Sequence, residues 1–107
     1  MAAYIDEIIK CLVDAAQPEQ IILFGSYAQG MANANSDVDL LVIESEPFGK
    51  LRSRIAEIGR LERAMGNIPV PTDILVYSRE EVERFRHAMN HVICRAFKEG
   101  EIVYARP

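Results

Sequence analysis

Two carboxylates stand two residues apart where an apolar run begins: Asp37-Val38-Asp39 opens directly into Leu40-Leu41-Val42-Ile43. Read as a strand from Val38 to Ile43, the alternation of side chains puts both acids on one face. Adjacent acids repel, and one of them is driven toward protonation unless a counter-charge is supplied. A hard divalent cation supplies it, and Mg²⁺ prefers carboxylate oxygens, waters and phosphates. Asn33, Asn35, Asp37, Asp39 and Glu44 also approximate the spacing of a calcium loop. That reading fails because Val38 stands where the loop needs glycine and Leu40 to Ile43 is an apolar strand.

A second apolar run, Ile21 to Phe24, lies between Pro18 and Gly25 and reads as a buried strand. The loop joining the two strands is about a dozen residues, too long for a tight hairpin, which marks it as a functional element. Within it, Tyr27 to Gly30 is expected to form a short helical turn. Around this pair of strands the spacing predicts a first helix over Ala3 to Ala16, with Ile5, Ile8, Ile9, Leu12, Val13 and Ala16 on one face and Pro18 as its stop. A second helix is predicted over Gly49 to Met65, burying Leu51, Ile55, Ile58, Leu61 and Met65. Val70 to Tyr77 is the third strand, with Pro69 and Pro71 suited to its beginning at an edge. Ser78 with Glu81 three residues on forms a capping box. The helix it opens is predicted to run to Glu99, with Val82, Phe85, Met89, Val92 and Ala96 as its stripe and Gly100 as its close. Glu101 to Tyr104 adds an extended tail. The order helix, strand, strand, helix, strand, helix predicts an α/β (α+β) domain: a small mixed β-sheet flanked by helices, in one unit spanning 1–107.

Composition narrows the partners. The 107 residues carry a formal net charge of −4, and a grip on a long polynucleotide normally needs a basic footprint, so nucleic acid is not the expected partner. Arg52, Arg54, Arg60 and Arg63 do not fall on one helical stripe and are read as solvated surface. Glu44 is read as a surface acid at a strand end. No apolar run approaches the ~18 residues of a membrane span, and Met1 to Lys10 carries acids within an amphipathic pattern rather than a basic leader; the expected location is the cytoplasm. Cys11 and Cys94 are far apart with no metal-type spacing and are expected to be free thiols. His87 and His91, four apart, would share a helix face, where solvation or capping is expected rather than zinc. Met65 and Met89 sit at core spacing.

The chemistry converges on three places. Gly25 lets backbone approach a ligand closely, and its amide, the Ser26 amide and the Ser26 hydroxyl are donors for phosphate oxygens; a helical turn starting at Tyr27 would add its own N–H groups. Ten residues separate Ser26 from Asp37, and Asp39 follows two positions further on. Asp73 is a charge inside the otherwise apolar run Ile74-Leu75-Val76. If the third strand pairs beside the second, it faces the same site, and three carboxylates around two metals suit phosphoryl and nucleotidyl transfer.

The run F-G-S-Y-A-Q-G-M-A-N-A-N-S-D-V-D-L-L-V resembles the nucleotidyltransferase superfamily of DNA polymerase β, whose hallmark is G-S, a spacer and D-x-D. More narrowly it is similar to the minimal nucleotidyltransferases of bacteria and archaea, over Ile21 to Ile43, Asp73 to Val76, and a looser C-terminal stretch of Glu99-Gly100 and Tyr104. The resemblance implies the nucleotidyltransferase core fold and a Mg²⁺-dependent enzyme that uses ATP. It assigns Asp37, Asp39 and Asp73 as catalytic and metal-binding residues and Gly25 and Ser26 as the triphosphate site, with Asp73 helping to activate an acceptor hydroxyl. It further implies a partner, because family members are commonly encoded beside a HEPN-domain toxin and transfer AMP to one of its tyrosines as the antitoxin of the pair. A hetero-complex or homo-oligomer is in keeping with so small a domain. Two alternatives remain open: a catalytically weak nucleotide-binding module that neutralises its partner by contact alone, and a transferase acting on a small molecule. One departure stands out, since many relatives carry a basic residue where this chain has Gln29; Lys50 and Arg52 are the candidates to replace that charge.

Overall fold

A computed structural model describes residues 2–32 and 36–107. Asn33 and Asn35 of the rejected calcium loop lie outside the described residues. The chain runs α1 (Ala2–Ala16), β1 (Gln20–Phe24), β2 (Val38–Glu44), α2 (Arg54–Met65), β3 (Thr72–Ser78), α3 (Arg79–Phe85), α4 (Val92–Glu99) and β4 (Glu101–Ala105). The four strands form one sheet in the order β3-β2-β1-β4. β1 is antiparallel to both β2 and β4, and β2 is parallel to β3, so the sheet is mixed.

Alternation along the strands feeds two cores. Ile21 and Leu23 of β1, Val38, Leu40 and Val42 of β2, and Ile74 and Val76 of β3 face α1 and α2, where Ile8, Leu12, Leu61 and Met65 meet them. The opposite face, with Ile22, Leu41 and Ile43, is covered by Val82 of α3 and by Ile93 and Ala96 of α4. Helices on both faces of a central sheet is the stable solution for strands apolar on both sides. β2 is the clearest case: apart from Asp39 all of its residues are buried. α1 ends where Gln17 takes a left-handed φ of 46° just ahead of Pro18, its amide donating to the Val13 carbonyl at 2.9 Å.

Three predicted elements are corrected. Helix α2 begins at Arg54 rather than Gly49, because Gly49 and Arg52 exchange backbone hydrogen bonds (3.0 and 3.2 Å) and Ser53 caps the helix by accepting from the Ala56 amide. Leu51 and Ile55 are consequently exposed, at 103% and 83%. The long last helix is two helices. Ser78 and Glu81 form the expected capping box for α3. The chain then turns, and His91 caps α4 with its Nδ1 accepting from the Ile93 amide at 3.1 Å while its ring stacks on Phe85, centroids 4.3 Å apart. The break leaves Met89 exposed rather than in the core and takes His87 off any shared helix face. Finally, the extended tail is a full edge strand: Gly100 passes so close to β1 that a Cβ there would lie 2.7 Å from the Leu23 carbonyl oxygen, and β4 then pairs along β1.

Candidate active site

Register, rather than a loop, places the acids. In the parallel pair, Asp39 of β2 lies opposite Asp73 of β3, and in the antiparallel pair Asp39 lies opposite Phe24 of β1. Neighbouring strands run about 4.8 Å apart, so Asp73, Asp39 and Phe24 form one row across the sheet. The row lies on the α3/α4 face, because Asp39 alternates with Val38 and Leu40, and Asp73 with Ile74, all of which face α1 and α2. The row is held at its end by the Val38 amide, which donates to the Pro71 carbonyl at 2.9 Å. Asp39 is half-buried, while Asp37 and Asp73 are exposed.

Gly25 closes the row from the β1 side. Its φ of 72° lies in the left-handed region, and a Cβ there would stand 3.1 Å from Asp39 Cγ and collide with Oδ2. From Gly25 the chain makes a turn to Gly30, in which the Gln29 amide donates to the Gly25 carbonyl (3.2 Å) and the Met31 amide to the Ser26 carbonyl (2.8 Å). This is one helical turn, not a helix. The Ser26 hydroxyl has no hydrogen-bond partner among the described residues. Under the turn, Tyr27 packs on the α1/α2 core with its hydroxyl buried and without a hydrogen-bond partner among the described residues.

Burial, then the charge of Asp73, then that of Asp37, raise the pKa of Asp39 above the ordinary aspartate value. Acidic oxygen donors crowded in this way, with no basic side chain on the turn beside them, fit a divalent cation. Mg²⁺ keeps several waters and shares substrate phosphates, so it needs only one or two protein carboxylates. Among the described residues no group of three Asp, Glu, His or Cys side chains forms a ready-made cage; the donor set suits an ion that arrives with its nucleotide.

The basic residues that composition left as solvated surface are largely committed elsewhere. Arg52 pairs with Glu44, with Glu46 (3.1 Å) and with Glu57 (3.5 Å), over the Phe48 ring. It is therefore not available to the phosphates, and Glu44 is a buried ion-pair partner instead of a surface acid, at 4% exposed. Arg54 donates to the Val76 carbonyl (2.6 Å) and to Glu81, between the rings of Phe48 and Tyr77. Arg60 holds Glu57 at 2.8 Å. Among the described residues the basic side chain that lines the glycine corner is Arg95, which no sequence pattern singles out. It lines a cavity of about 180 Å³ with Phe24, Gly25, Val92 and Glu99. Nothing local marks Arg95; only the packing of α4 on β1 brings it there. Cys11 and Cys94 are free thiols.

Comparison with known proteins identifies the family and the fold. A family model described as nucleotidyltransferase domain matches residues 5–105. No curated protein matches the chain by sequence. Among solved structures, a candidate nucleotidyltransferase from Sulfolobus solfataricus superposes with a TM-score of 0.67 at 20% identity, covering 99% of this chain and 81% of its own. A chain of a toxin-antitoxin complex with AMP-PNP is 25% identical, with a TM-score of 0.66 over 94% of this chain and 73% of that one. At 18% identity, a chain from the complex of a tri-AMPylated Shewanella oneidensis HEPN toxin with its MNT antitoxin shares the fold, with a TM-score of 0.54 over 98% of this chain and 72% of its own.

Proposed function

The chain belongs to the nucleotidyltransferase domain family, and from that premise we propose that it is a Mg²⁺-dependent adenylyltransferase that moves AMP from ATP to a tyrosine of a HEPN-domain toxin, as the antitoxin of the pair. The observation that carries this reading is the seat of Asp39, pressed against Gly25 on one side and in register with Asp73 on the other. A triphosphate lying on Gly25-Ser26 would have its α-phosphorus beside the acid row. The toxin-antitoxin structures support the acceptor: one binds AMP-PNP, and the other holds an AMPylated HEPN toxin.

In this reading Asp37 and Asp39 hold Mg²⁺, and Asp73 shares it or faces the acceptor. Bound there, the ion would neutralise phosphate charge and stabilise the attacking and leaving oxygens. The tyrosine oxygen forms a bond to the α-phosphorus, the bond from that phosphorus to the bridging oxygen breaks, and pyrophosphate departs with the electron pair. Asp73, the most exposed acid of the strand pair, takes the phenolic proton. Ser26 donates its free hydroxyl to a phosphate oxygen. None of the described helices is long and apolar enough to cross a membrane.

The test is label transfer. α-Labelled ATP with Mg²⁺ should mark the co-purified HEPN partner, and Asp39→Ala should lower the rate at least about a hundredfold, the scale of losing a positioned catalytic interaction, with the fold intact by circular dichroism. Labelling that persists in the Asp37→Ala/Asp39→Ala double variant would refute the enzyme. Full neutralisation of the toxin by an unlabelling Asp39→Ala chain would assign the protection to binding alone.

A further inference from the structure

We propose that the cavity between α4 and the end of β1 is the subsite for the outer phosphates of the nucleotide, with Arg95 as its cation; this rests on the nucleotidyl-transfer reading above and adds a residue to it. The row on the α3/α4 face runs Asp73, Asp39, Phe24, and the next feature along it is the cavity whose walls are Phe24, Gly25, Val92, Arg95 and Glu99. A triphosphate that presents its α-phosphorus to the acids and passes over Gly25 therefore points its β- and γ-phosphates toward α4.

Charge makes the same demand. The outer phosphates bring several negative charges to a site that already holds three carboxylates. The turn from Gly25 to Gly30 reads Gly-Ser-Tyr-Ala-Gln-Gly and offers no positive side chain. Arg52, Arg54, Arg60 and Arg79 are each held by carboxylates. Arg95 is exposed, and among the described residues its guanidinium has neither an ion pair nor a hydrogen bond. Glu99 lines the same wall one helical turn further on and makes no ion pair with it. A planar guanidinium with paired donors matches two phosphate oxygens at once, which an ammonium does not. Its place on a helix packed against β1 keeps the charge beside Gly25 at little further entropic cost.

Calorimetry with Mg·ATP and with AMP tests the subsite on the full chain with its partner. Arg95→Gln should weaken Mg·ATP binding about tenfold or more, as expected for losing a charge-assisted hydrogen bond. AMP, which lacks the outer phosphates, should bind as it does to the wild type, and Arg95→Lys should recover part of the loss. Lys98→Gln, an exposed change on the same helix, should leave Mg·ATP binding unchanged. Unaltered Mg·ATP affinity in Arg95→Gln, an equal loss for AMP, or an equal loss in Lys98→Gln would overturn the subsite while leaving the nucleotidyltransferase reading in place. A wild-type chain that binds no Mg·ATP would remove that reading and this one with it.

Discussion

Gly25 leaves no room for a side chain beside Asp39: a methyl group at position 25 would stand 3.1 Å from Asp39 Cγ and overlap Oδ2. The acid second in β2 and the glycine that follows β1 are thus one structural unit, joined by the antiparallel register that sets Phe24 opposite Asp39.

Gly25→Ala is expected to act on activity far more than on stability. The left-handed φ of 72° should cost about 1–2 kcal/mol in the variant. Displacing Asp39 by an ångström should lower AMP transfer about a hundredfold. Thermal unfolding and initial rates of label transfer measure the two effects separately. A variant destabilised as expected but transferring AMP at the wild-type rate would show that the seat of Asp39 is immaterial to the chemistry.

Asp39 itself should make stability depend on pH and on Mg²⁺. Its pKa is raised by burial, by Asp73 and by Asp37, so the folded chain holds the proton more tightly than the unfolded one. Its contribution is complete below the ordinary aspartate value and is lost as pH rises through the raised one. Asp39→Asn removes the titration. It should melt above the wild type at neutral pH, and the difference should vanish below about pH 4. Added Mg²⁺ should raise the melting temperature of the wild type and not that of Asp39→Asn, since only a native state that binds the ion gains from it. Equal responses to Mg²⁺ would place the ion elsewhere.

A second pH effect comes from the structural network under α2. Burial pushes the Glu44 carboxyl up to about 7, outweighing its ion pair with Arg52, and Glu57 adds to the rise. Hydrogen bonding to Arg60 pulls Glu57 down to about 2. Among the described residues Glu44 Oε2 is buried without a hydrogen-bond partner, and a proton on Glu44 would let it donate to Glu57. The Glu57 contribution is lost only toward pH 2, far below the working range. The Glu44 contribution declines as pH rises from the ordinary 4.5 toward about 7. The melting temperature should therefore fall across that interval, and Glu44→Gln should flatten much of the slope, with Arg52 still paired to Glu46 and Glu57. A slope unchanged in Glu44→Gln would assign it to other groups.

What was readable without coordinates was local. The capping box of Ser78 and Glu81, the stop at Pro18 and the two central strands follow from spacings of a few residues, and each is present in the fold. The place of Asp73 depended on a condition, pairing of β3 beside β2, that only the sheet could supply, and the sheet supplies it in the parallel sense. Long-range packing was not readable. The Glu44–Arg52 pair depends on the loop from Pro47 to Ser53 folding back on β2. The break after Phe85 depends on the His91 ring both stacking and capping, where a heptad-like stripe through Met89 pointed to one helix. Arg95 meets Gly25 across 70 residues of sequence, through the packing of α4 on the strand that Gly100 and β4 clasp. Helix periodicity records which face is apolar and not where a helix stops to let another begin.

Tyr27 offers a test of the turn that carries Gly25 and Ser26. Its ring packs against the α1/α2 core, and its hydroxyl is buried with no hydrogen-bond partner among the described residues. A buried hydroxyl without a partner costs the free energy of its lost water bonds, so Tyr27→Phe keeps the packing and removes the penalty. The variant should be more stable by about 1 kcal/mol, read by urea denaturation with an unchanged m-value, and should transfer AMP as the wild type does. A loss of stability would show that the hydroxyl is bonded in solution. A loss of transfer at full stability would move Tyr27 from the support of the turn into the site itself.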